Sequence, residues 1–329
     1  MYKRAIVLLS GGLDSVLSAK IIIEQKIEVI ALHFTSPFSS KKEKEKGLQA
    51  ERAARELGIR LITIYKGRDY IDVVKSPKHG YGKNMNPCID CRIFMLKKAR
   101  DIMVEEHAGF VVTGEVLGQR PMSQRKDTIH IIEKESGLAG LIVRPLSAKH
   151  FFPSVPENEG IIDRSRLLDM SGRSRHLQYR LAEEFNIKEY GCPGGGCLLT
   201  DSMFSHKLKD LFFHYSNYSM QDIELLSIGR HFRLSKDTKL IIGRNETENE
   251  RLLAKGETPY VLICPSGFKG PTGIIKGTLN DENFSIAASI IGYYAKHHSP
   301  EVALELNNGR TKETRVAKTV AIDVNTLKV

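Results

Sequence analysis

Between the apolar run Ala5-Ile6-Val7-Leu8-Leu9 and a stretch with Val16, Leu17, Ala19, Ile22 and Ile23 at helical spacing, the chain carries Ser10-Gly11-Gly12-Leu13-Asp14-Ser15. This segment constrains the fold more than any other. A glycine turn that joins a strand to a helix points backbone N–H groups at one centre, and the helix N-terminus adds partial positive charge there, which makes an anion site. Gly11 and Gly12 let the backbone approach a phosphate closely, and the Ser10 and Ser15 hydroxyls can donate to its oxygens. Asp14 beside a polyphosphate makes electrostatic sense with a bound cation, so Mg²⁺ bridging Asp14 to the phosphates is expected. The Walker pattern is absent, since no Gly-Lys-Ser or Gly-Lys-Thr follows. A plain Gly-Gly turn with a Ser/Asp helix cap would use the same residues.

The pattern after this loop repeats strand and helix. Strands are expected at Glu28 to Phe34, Arg60 to Tyr65, Phe110 to Thr113 and Leu141 to Leu146, with helices over Ser39 to Leu57 and Cys91 to Ala108. Ser76 to Pro87, punctuated by Pro77, Gly80, Gly82 and Pro87, reads as a loop, and Ile161 to Phe185 as an arginine-rich helical stretch. This alternation predicts an α/β fold, a parallel sheet with helices on both faces. Beyond about Ile228, short strands separated by glycine turns predict a smaller α+β domain. The expected division is 1–160 for the nucleotide domain, 161–226 for a helical and cysteine-loop extension completing it, and 227–329 for the C-terminal domain.

With 41% hydrophobic and 27% charged residues among 329, the composition is that of a water-soluble chain, and no apolar run approaches a membrane span. A cytoplasmic location and no membrane partner are expected. The net charge of +10 favours a phosphate-bearing partner, or is a solvated basic surface. The five cysteines are expected to serve metal binding or catalysis rather than structural disulfides.

Cys88-Ile89-Asp90-Cys91 places two thiols within reach of one metal, and Cys192 and Cys197 flank a Pro-Gly-Gly-Gly loop. A four-thiolate zinc site and a thiol–persulfide pair are both compatible with these residues. Cys264, inside an apolar strand, reads as a core residue. Gln119, Ser123 and Gln124 are neutral donors suited to adenine, ribose or base contacts, or simply a polar loop.

Ser-Gly-Gly-x-Asp-Ser resembles the signature of the PP-loop (adenine nucleotide alpha hydrolase-like) ATP pyrophosphatases, which implies ATP as a substrate and adenylation of a substrate oxygen. Asn86-Pro87-Cys88 with Cys91, Thr113-Gly114-Glu115 continuing through Gly118-Gln119 to Ser123-Gln124, Gly172-Arg173-Ser174-Arg175 and Gly195-Gly196-Cys197-Leu198-Leu199-Thr200-Asp201 resemble the tRNA uridine thiolases. The likeness is to the catalytic part of tRNA 4-thiouridine synthases, and more broadly to the 2-thiouridylases. It spans roughly residues 4 to 210 and leaves out the N-terminal RNA-binding module and the rhodanese-like carrier of that family. It implies a four-iron four-sulfur cluster on Cys88, Cys91 and Cys197, with Cys192 as an extra thiol and Zn²⁺ as the alternative metal. It also implies tRNA and a sulfur donor, sulfide or a persulfide carrier, as partners; a homodimer is compatible. ATP would be bound by Ser10, Gly11, Gly12, Asp14, Ser15, Thr113, Gly114, Gln119, Ser123 and Gln124. Lys97, with Arg144 or Arg173, would stabilise phosphate charge.

Phe232-Arg233-Leu234 through Ile241-Ile242-Gly243-Arg244-Asn245-Glu246 to Asn249-Glu250-Arg251-Leu252-Leu253 resembles the RNA-binding domain of the NFACT proteins. That likeness implies a phosphate-binding face from Arg230, Arg233, Lys236, Lys239, Arg244, Arg251 and Lys255, with His231 and Phe232 stacking on bases. The same Gly-Arg-Asn run also fits a strand-to-helix turn capped by Asn245. The expected activity is tRNA uridine thiolation, with 4-thiouridine favoured over 2-thiouridine. A PP-loop amidotransferase or amide ligase, and a non-catalytic RNA-binding factor, are the alternatives.

Overall fold

The computed structural model describes residues 2–39, 41–191, 197–256 and 259–329, and of residues 41–47 the backbone alone. The chain forms two compact units, Met1–Asp201 and Ser202–Val329. The segment 161–226 is thus shared between them: residues through Asp201 fall in the first unit and Ser202 onward in the second.

The first unit runs β1 (Arg4–Leu8), α1 (Leu13–Ile23), β2 (Glu28–Thr35), α2 (Lys41–Glu56), β3 (Arg60–Tyr65), α3 (Arg68–Lys75), α4 (Cys88–Glu105), β4 (Phe110–Val112), α5 (Lys126–Ser136), β5 (Ile142–Val143), α6 (Val155–Asn158) and α7 (His176–Glu184). Its five strands pair in the order β3-β2-β1-β4-β5, and every pairing is parallel. Parallel sheets bury both faces, so the strands read as continuous apolar runs rather than as alternation. Ala5 and Val7 of β1 pack in one cluster with α1, the end of α2 and Ala182 of α7, while Ile6 and Leu8 pack in another with Ile93, Leu96 and Ala99 of α4 and Ile132 of α5. Period-2 side-chain alternation sends one strand into both layers.

From β1 the chain steps outward through β2 and β3, then returns to add β4 and β5 on the other side. The order therefore reverses between β1 and β4, and the crevice outside the carboxyl ends of those two strands is where open α/β sheets take ligands.

Several boundaries differ from the sequence reading. The fourth helix begins at Cys88 with Pro87 at its N-cap, so both thiols ride on its first turn. The fifth strand shrinks to two residues before Arg144 turns inward. From residue 161 to 175 the chain has one short 3₁₀ turn, and it becomes α-helical only at His176, because Gly172 at φ +78° sits in the left-handed region. Helices α3 and α5 were not anticipated.

The second unit comprises α8 (Ser202–His214), α9 (Met220–Leu225), β6 (Arg230–Ser235), β7 (Thr238–Ile242), α10 (Glu246–Leu253), β8 (Val261–Pro265), β9 (Gly273–Lys276), α11 (Asp281–Ala295), β10 (Glu301–Asn307) and β11 (Lys312–Lys318). Its strands form one antiparallel sheet, β11-β10-β8-β9-β7-β6, with α11 packed on the apolar face. No helix among the described residues is long and apolar enough to cross a membrane.

Candidate active site

The loop from Ser10 to Ser15 lies at the carboxyl end of β1. Gly11 adopts φ +75°, and a Cβ there would stand 2.6 Å from the backbone nitrogen of Ala50, so both conformation and close packing on α2 require glycine. Ser15 Oγ donates to the Gly12 carbonyl at 2.7 Å and stands 3.2 Å from Ser10 Oγ, while the Gly12 N–H points at Ser10 Oγ at 3.4 Å. The two serines thus brace the turn. No side chain caps α1. Its positive end is left facing the concavity of the loop.

Asp14 opens this helix with its side chain 18% exposed. Oδ2 accepts from Gln119 Nε2 at 2.8 Å and lies 3.7 Å from an Arg175 guanidinium nitrogen. Oδ1 is buried and accepts no hydrogen bond from the described residues, and the same holds for Gln119 Oε1 and Gln124 Oε1. Buried acceptors without protein donors mark a place where a ligand or ion completes the bonding. An oxygen donor beside an anion cradle has the chemistry that Mg²⁺ selects.

Thr113 and Gly114 leave β4 on the other side of the crevice. A Cβ on Gly114 would stand 2.7 Å from the carbonyl carbon and oxygen of Asp14, so the two loops touch backbone to backbone. Gly114→Ala is expected to force them apart, costing about 1–3 kcal/mol of first-unit stability and weakening ATP binding. Urea unfolding and ATP titration of the full-length variant check this, and wild-type values in both would refute the close approach. The loop beyond is folded back by Gly118 N–H donating to the Gln124 carbonyl at 2.7 Å. Ser123 is partly buried in it.

Beneath this crevice Glu115 is 1% exposed. It accepts from Arg92 Nε at 2.7 Å, Arg144 Nε at 2.9 Å and Thr113 Oγ1 at 3.0 Å. Burial by itself would raise its pKa, but the two guanidiniums and the bonds from Arg92 and Thr113 outweigh it and hold the carboxyl at about 2. Arg144 also bonds Glu133. Arg144 therefore serves this buried network, not phosphate charge as the sequence suggested. Arg175 takes the place beside the loop, whereas Arg173 is exposed.

Cys88 and Cys91, one turn apart on α4, share a helix face. Tyr70 of α3 is buried, and burial first, then Cys91, Cys197 and Cys88, push its phenol well above its ordinary value. Burial also pushes the Cys88 thiol up. Cys197 is held by a bridge to Ser39 and by Leu198 N–H donating to the Phe38 carbonyl at 2.9 Å, just beyond β2. Asn84 Nδ2 donates to the Thr200 carbonyl at 2.7 Å and Met85 N–H to the Leu199 carbonyl at 3.1 Å, which tie the loop before Cys88 to the segment after Cys197. In that loop His79 bonds Asp90, one of the two residues between the thiols, at 3.0 Å.

The donor set is three thiols, and it fits a thiophilic metal group in kind and number. Among the described residues, no three His, Cys, Asp or Glu side chains already stand in a coordinating arrangement. Cys192 lies outside the described residues. Lys97 is exposed. Nine residues after Cys88 at about 100° each, it faces the opposite side of the helix. A cation meets a thiol at Lys66, whose Nζ is 3.6 Å from Cys91 Sγ. Lys66, Tyr70 and Arg175 had no assigned role in the sequence reading. The available signal was position: Lys66, like Ser10 and Thr113, directly follows an apolar strand of a parallel sheet.

Thiol and phosphate sites share one edge of the sheet. Gly191 N–H donates to the Gly11 carbonyl at 2.7 Å and Gly191 bridges Gly12, beyond β1, while Cys197 bridges Ser39, beyond the neighbouring β2.

In the second unit the expected RNA face needs correction. His231 and Phe232 are fully buried and cannot stack on bases. Burial pushes the His231 imidazole well below its ordinary pKa, so it is neutral. Arg233 and Lys239 both bond Asp210, each at 2.6 Å, and Lys255 bonds Glu224 at 2.7 Å. Arg244 pairs with Glu248, and Asn245 Oδ1 accepts the Glu248 N–H at 3.0 Å, so the Gly-Arg-Asn run is a capped strand-to-helix turn. Lys236, Arg244 and Arg251 stay exposed. Cys264 packs against the apolar cluster of this unit, as expected.

Residues 2–150 match the family model described as thiamine biosynthesis protein (ThiI), and residues 229–328 match the NFACT protein RNA binding domain. The chain is 31% identical over 148 residues to a probable tRNA sulfurtransferase of Moorella thermoacetica and 30% identical over 146 residues to one of Thermococcus kodakarensis. Each alignment covers 44% of this chain and 36% of the relative, so the chain spans about a third of the length of these curated relatives. Among solved structures, a 4-thiouridine synthetase–RNA complex with bound ATP is 22% identical with a TM-score of 0.38, covering 68% of this chain and 52% of that one. The U34-tRNA thiolase NcsA of Methanococcus maripaludis with its [4Fe-4S] cluster is 18% identical with a TM-score of 0.34, covering 68% and 72%.

Proposed function

We propose that this chain, a ThiI-type PP-loop domain followed by an NFACT-type RNA-binding domain, is an ATP-dependent tRNA sulfurtransferase that replaces a uridine carbonyl oxygen with sulfur. The observation that carries the reading is the shared edge: Asp14, Gln119 and Arg175 gather at the Ser10–Ser15 loop beyond β1, and Cys197 bridges Ser39 beyond the neighbouring β2. The ThiI match and the sulfurtransferase relatives support the same reading.

In this mechanism the loop N–H groups and the α1 N-terminus hold the ATP phosphates, and Arg175 adds positive charge beside Asp14. Mg²⁺ bound at Asp14 Oδ1 would neutralise charge on the departing pyrophosphate. The uridine oxygen attacks the α-phosphorus and the bond to the β-phosphate oxygen breaks, giving an adenylated uridine and pyrophosphate. A hydrosulfide then adds to the activated carbon, the carbon–oxygen bond breaks, and AMP leaves with the original uridine oxygen while the sulfhydryl proton passes to solvent. Cys88, Cys91 and Cys197 would hold a four-iron four-sulfur cluster, which supplies a site for that sulfur when bound; zinc on the same thiols is the alternative. The sulfur enters as sulfide or from a persulfide carrier. The product favoured is 4-thiouridine, and tRNA is gripped in part by the NFACT-type domain.

The test is anaerobic incubation of the reconstituted full chain with tRNA, ATP, Mg²⁺ and sulfide, followed by nucleoside mass spectrometry and AMP quantitation. Thiouridine and AMP in equal amounts are expected. ATP cleavage with nitrogen rather than sulfur entering the product, or no tRNA-dependent cleavage at all, would overturn the proposal in favour of an amidotransferase or an RNA-binding factor.

A further inference from the structure

Lys66 follows the last residue of β3, and its backbone N–H extends the pairing with β2 by donating to the Thr35 carbonyl at 2.9 Å. This geometry fixes the start of its side chain and sends it inward, where the residue is only 9% exposed. The ammonium lies 3.6 Å from Cys91 Sγ and 4.4 Å from the centroid of the Tyr70 ring. Among the described residues no carboxylate pairs with it. His33, buried nearby, uses Nδ1 on the Leu9 carbonyl at 2.9 Å and brings no negative charge. An unpaired ammonium at this depth carries a desolvation cost of several kcal/mol unless an anion faces it. The aromatic face offsets a small part of that cost. The polar atom that the ammonium meets among the described residues is the sulfur of Cys91.

We propose that Lys66 is the positioning cation of the sulfur site: its ammonium, seated over the Tyr70 ring, creates the local positive potential that receives and holds anionic sulfur at Cys91. The assignment rests on the sulfur-transfer reading for its purpose, and on geometry alone for its existence. It explains why a lysine is buried at the end of a parallel strand, where it gains no salt bridge among the described residues. The anion it accommodates is a thiolate, a metal-bound sulfide or a hydrosulfide.

The local potential can be read without tRNA, ATP or metal. The full chain, reduced and metal-free, is alkylated at Cys91 with iodoacetate, an anion, and separately with iodoacetamide, its neutral analogue, and each rate is followed by peptide mass spectrometry. Their ratio cancels the ionisation of the thiol and most of its accessibility, leaving the attraction for a negative reagent. Lys66→Met keeps the aliphatic stem and should lower the Cys91 ratio about fivefold or more, whereas Lys66→Arg should retain it. The ratio at Cys264, in the other unit, should stay constant as a reagent control, and the urea unfolding midpoint of each variant reports folding of the first unit. An unchanged Cys91 ratio in Lys66→Met, with Cys264 unchanged, would overturn the proposal. Should Lys66→Met fail to fold, Lys66→Gln gives the same comparison. If the ratio falls but the wild-type chain thiolates no tRNA, the sulfur-transfer reading fails while the Lys66 assignment stands.

Discussion

Asp14→Asn is expected to lower tRNA-stimulated release of pyrophosphate from ATP by about 10²- to 10³-fold. The carboxylate is the negative group at the phosphate loop, and its Oδ1 is the buried oxygen that a cation would complete. Asparagine keeps the shape and can still accept from Gln119, so the fold and the loop geometry should survive. It loses the charge that would bind a divalent ion, and it leaves the Arg175 guanidinium, 3.7 Å away, without its counter-charge. ATP affinity should fall less than turnover, because the loop N–H groups still bind the phosphates. A coupled pyrophosphate assay with circular dichroism as the folding control settles it. A variant within threefold of the wild-type rate would remove Asp14 from the reaction.

Glu115→Gln is expected to destabilise the first unit by about 3 kcal/mol, since the change leaves the buried Arg144 and the half-buried Arg92 guanidiniums with a neutral partner. Only Arg144 retains a second carboxylate, Glu133. The same network sets an acid dependence. The folded-state pKa of Glu115, about 2, lies below the ordinary 4.5, so its contribution is fully present above about pH 4.5 and is lost as pH falls toward 2. Two and a half pKa units correspond to about 3 kcal/mol. Urea midpoints from pH 7 to pH 3 should therefore fall more steeply for the wild type than for Glu115→Gln. Parallel slopes would show that Glu115 carries no such linkage.

The buried tie between Glu115 and Arg144 shows what a sequence leaves open. Arg144 follows an apolar strand and could equally have faced a phosphate or a carboxylate, and only the burial of Glu115 beneath the crevice decides it. The same holds for Lys97 and Lys66. Lys97 follows the cysteine pair in sequence, but helical rotation carries it to the opposite side of α4. Lys66 is 25 residues from Cys91 and reaches it because the end of β3 adjoins the first turn of α4. In the second unit, His231 and Phe232 look like base-stacking residues in a basic run. Strand alternation sends them to opposite faces of the sheet, and both faces are covered: Phe232 packs in the apolar cluster with α11, and His231 Nε2 donates to the Ile228 carbonyl at 2.9 Å.

The sequence by itself determined the parallel α/β architecture, the position of the phosphate loop and the candidacy of the cysteine pair. These depend on local rules: apolar runs, glycine turns and helical spacing act within a few residues. The tertiary structure decided which charged groups meet. Arg175 came to Asp14, Lys66 to Cys91, and Arg92 with Arg144 to Glu115, because parallel strands bring their carboxyl ends together from segments far apart in the chain. Near the surface a charge can be satisfied by water whatever its sequence neighbours; once buried it must find a partner in space, and that partner is fixed by packing.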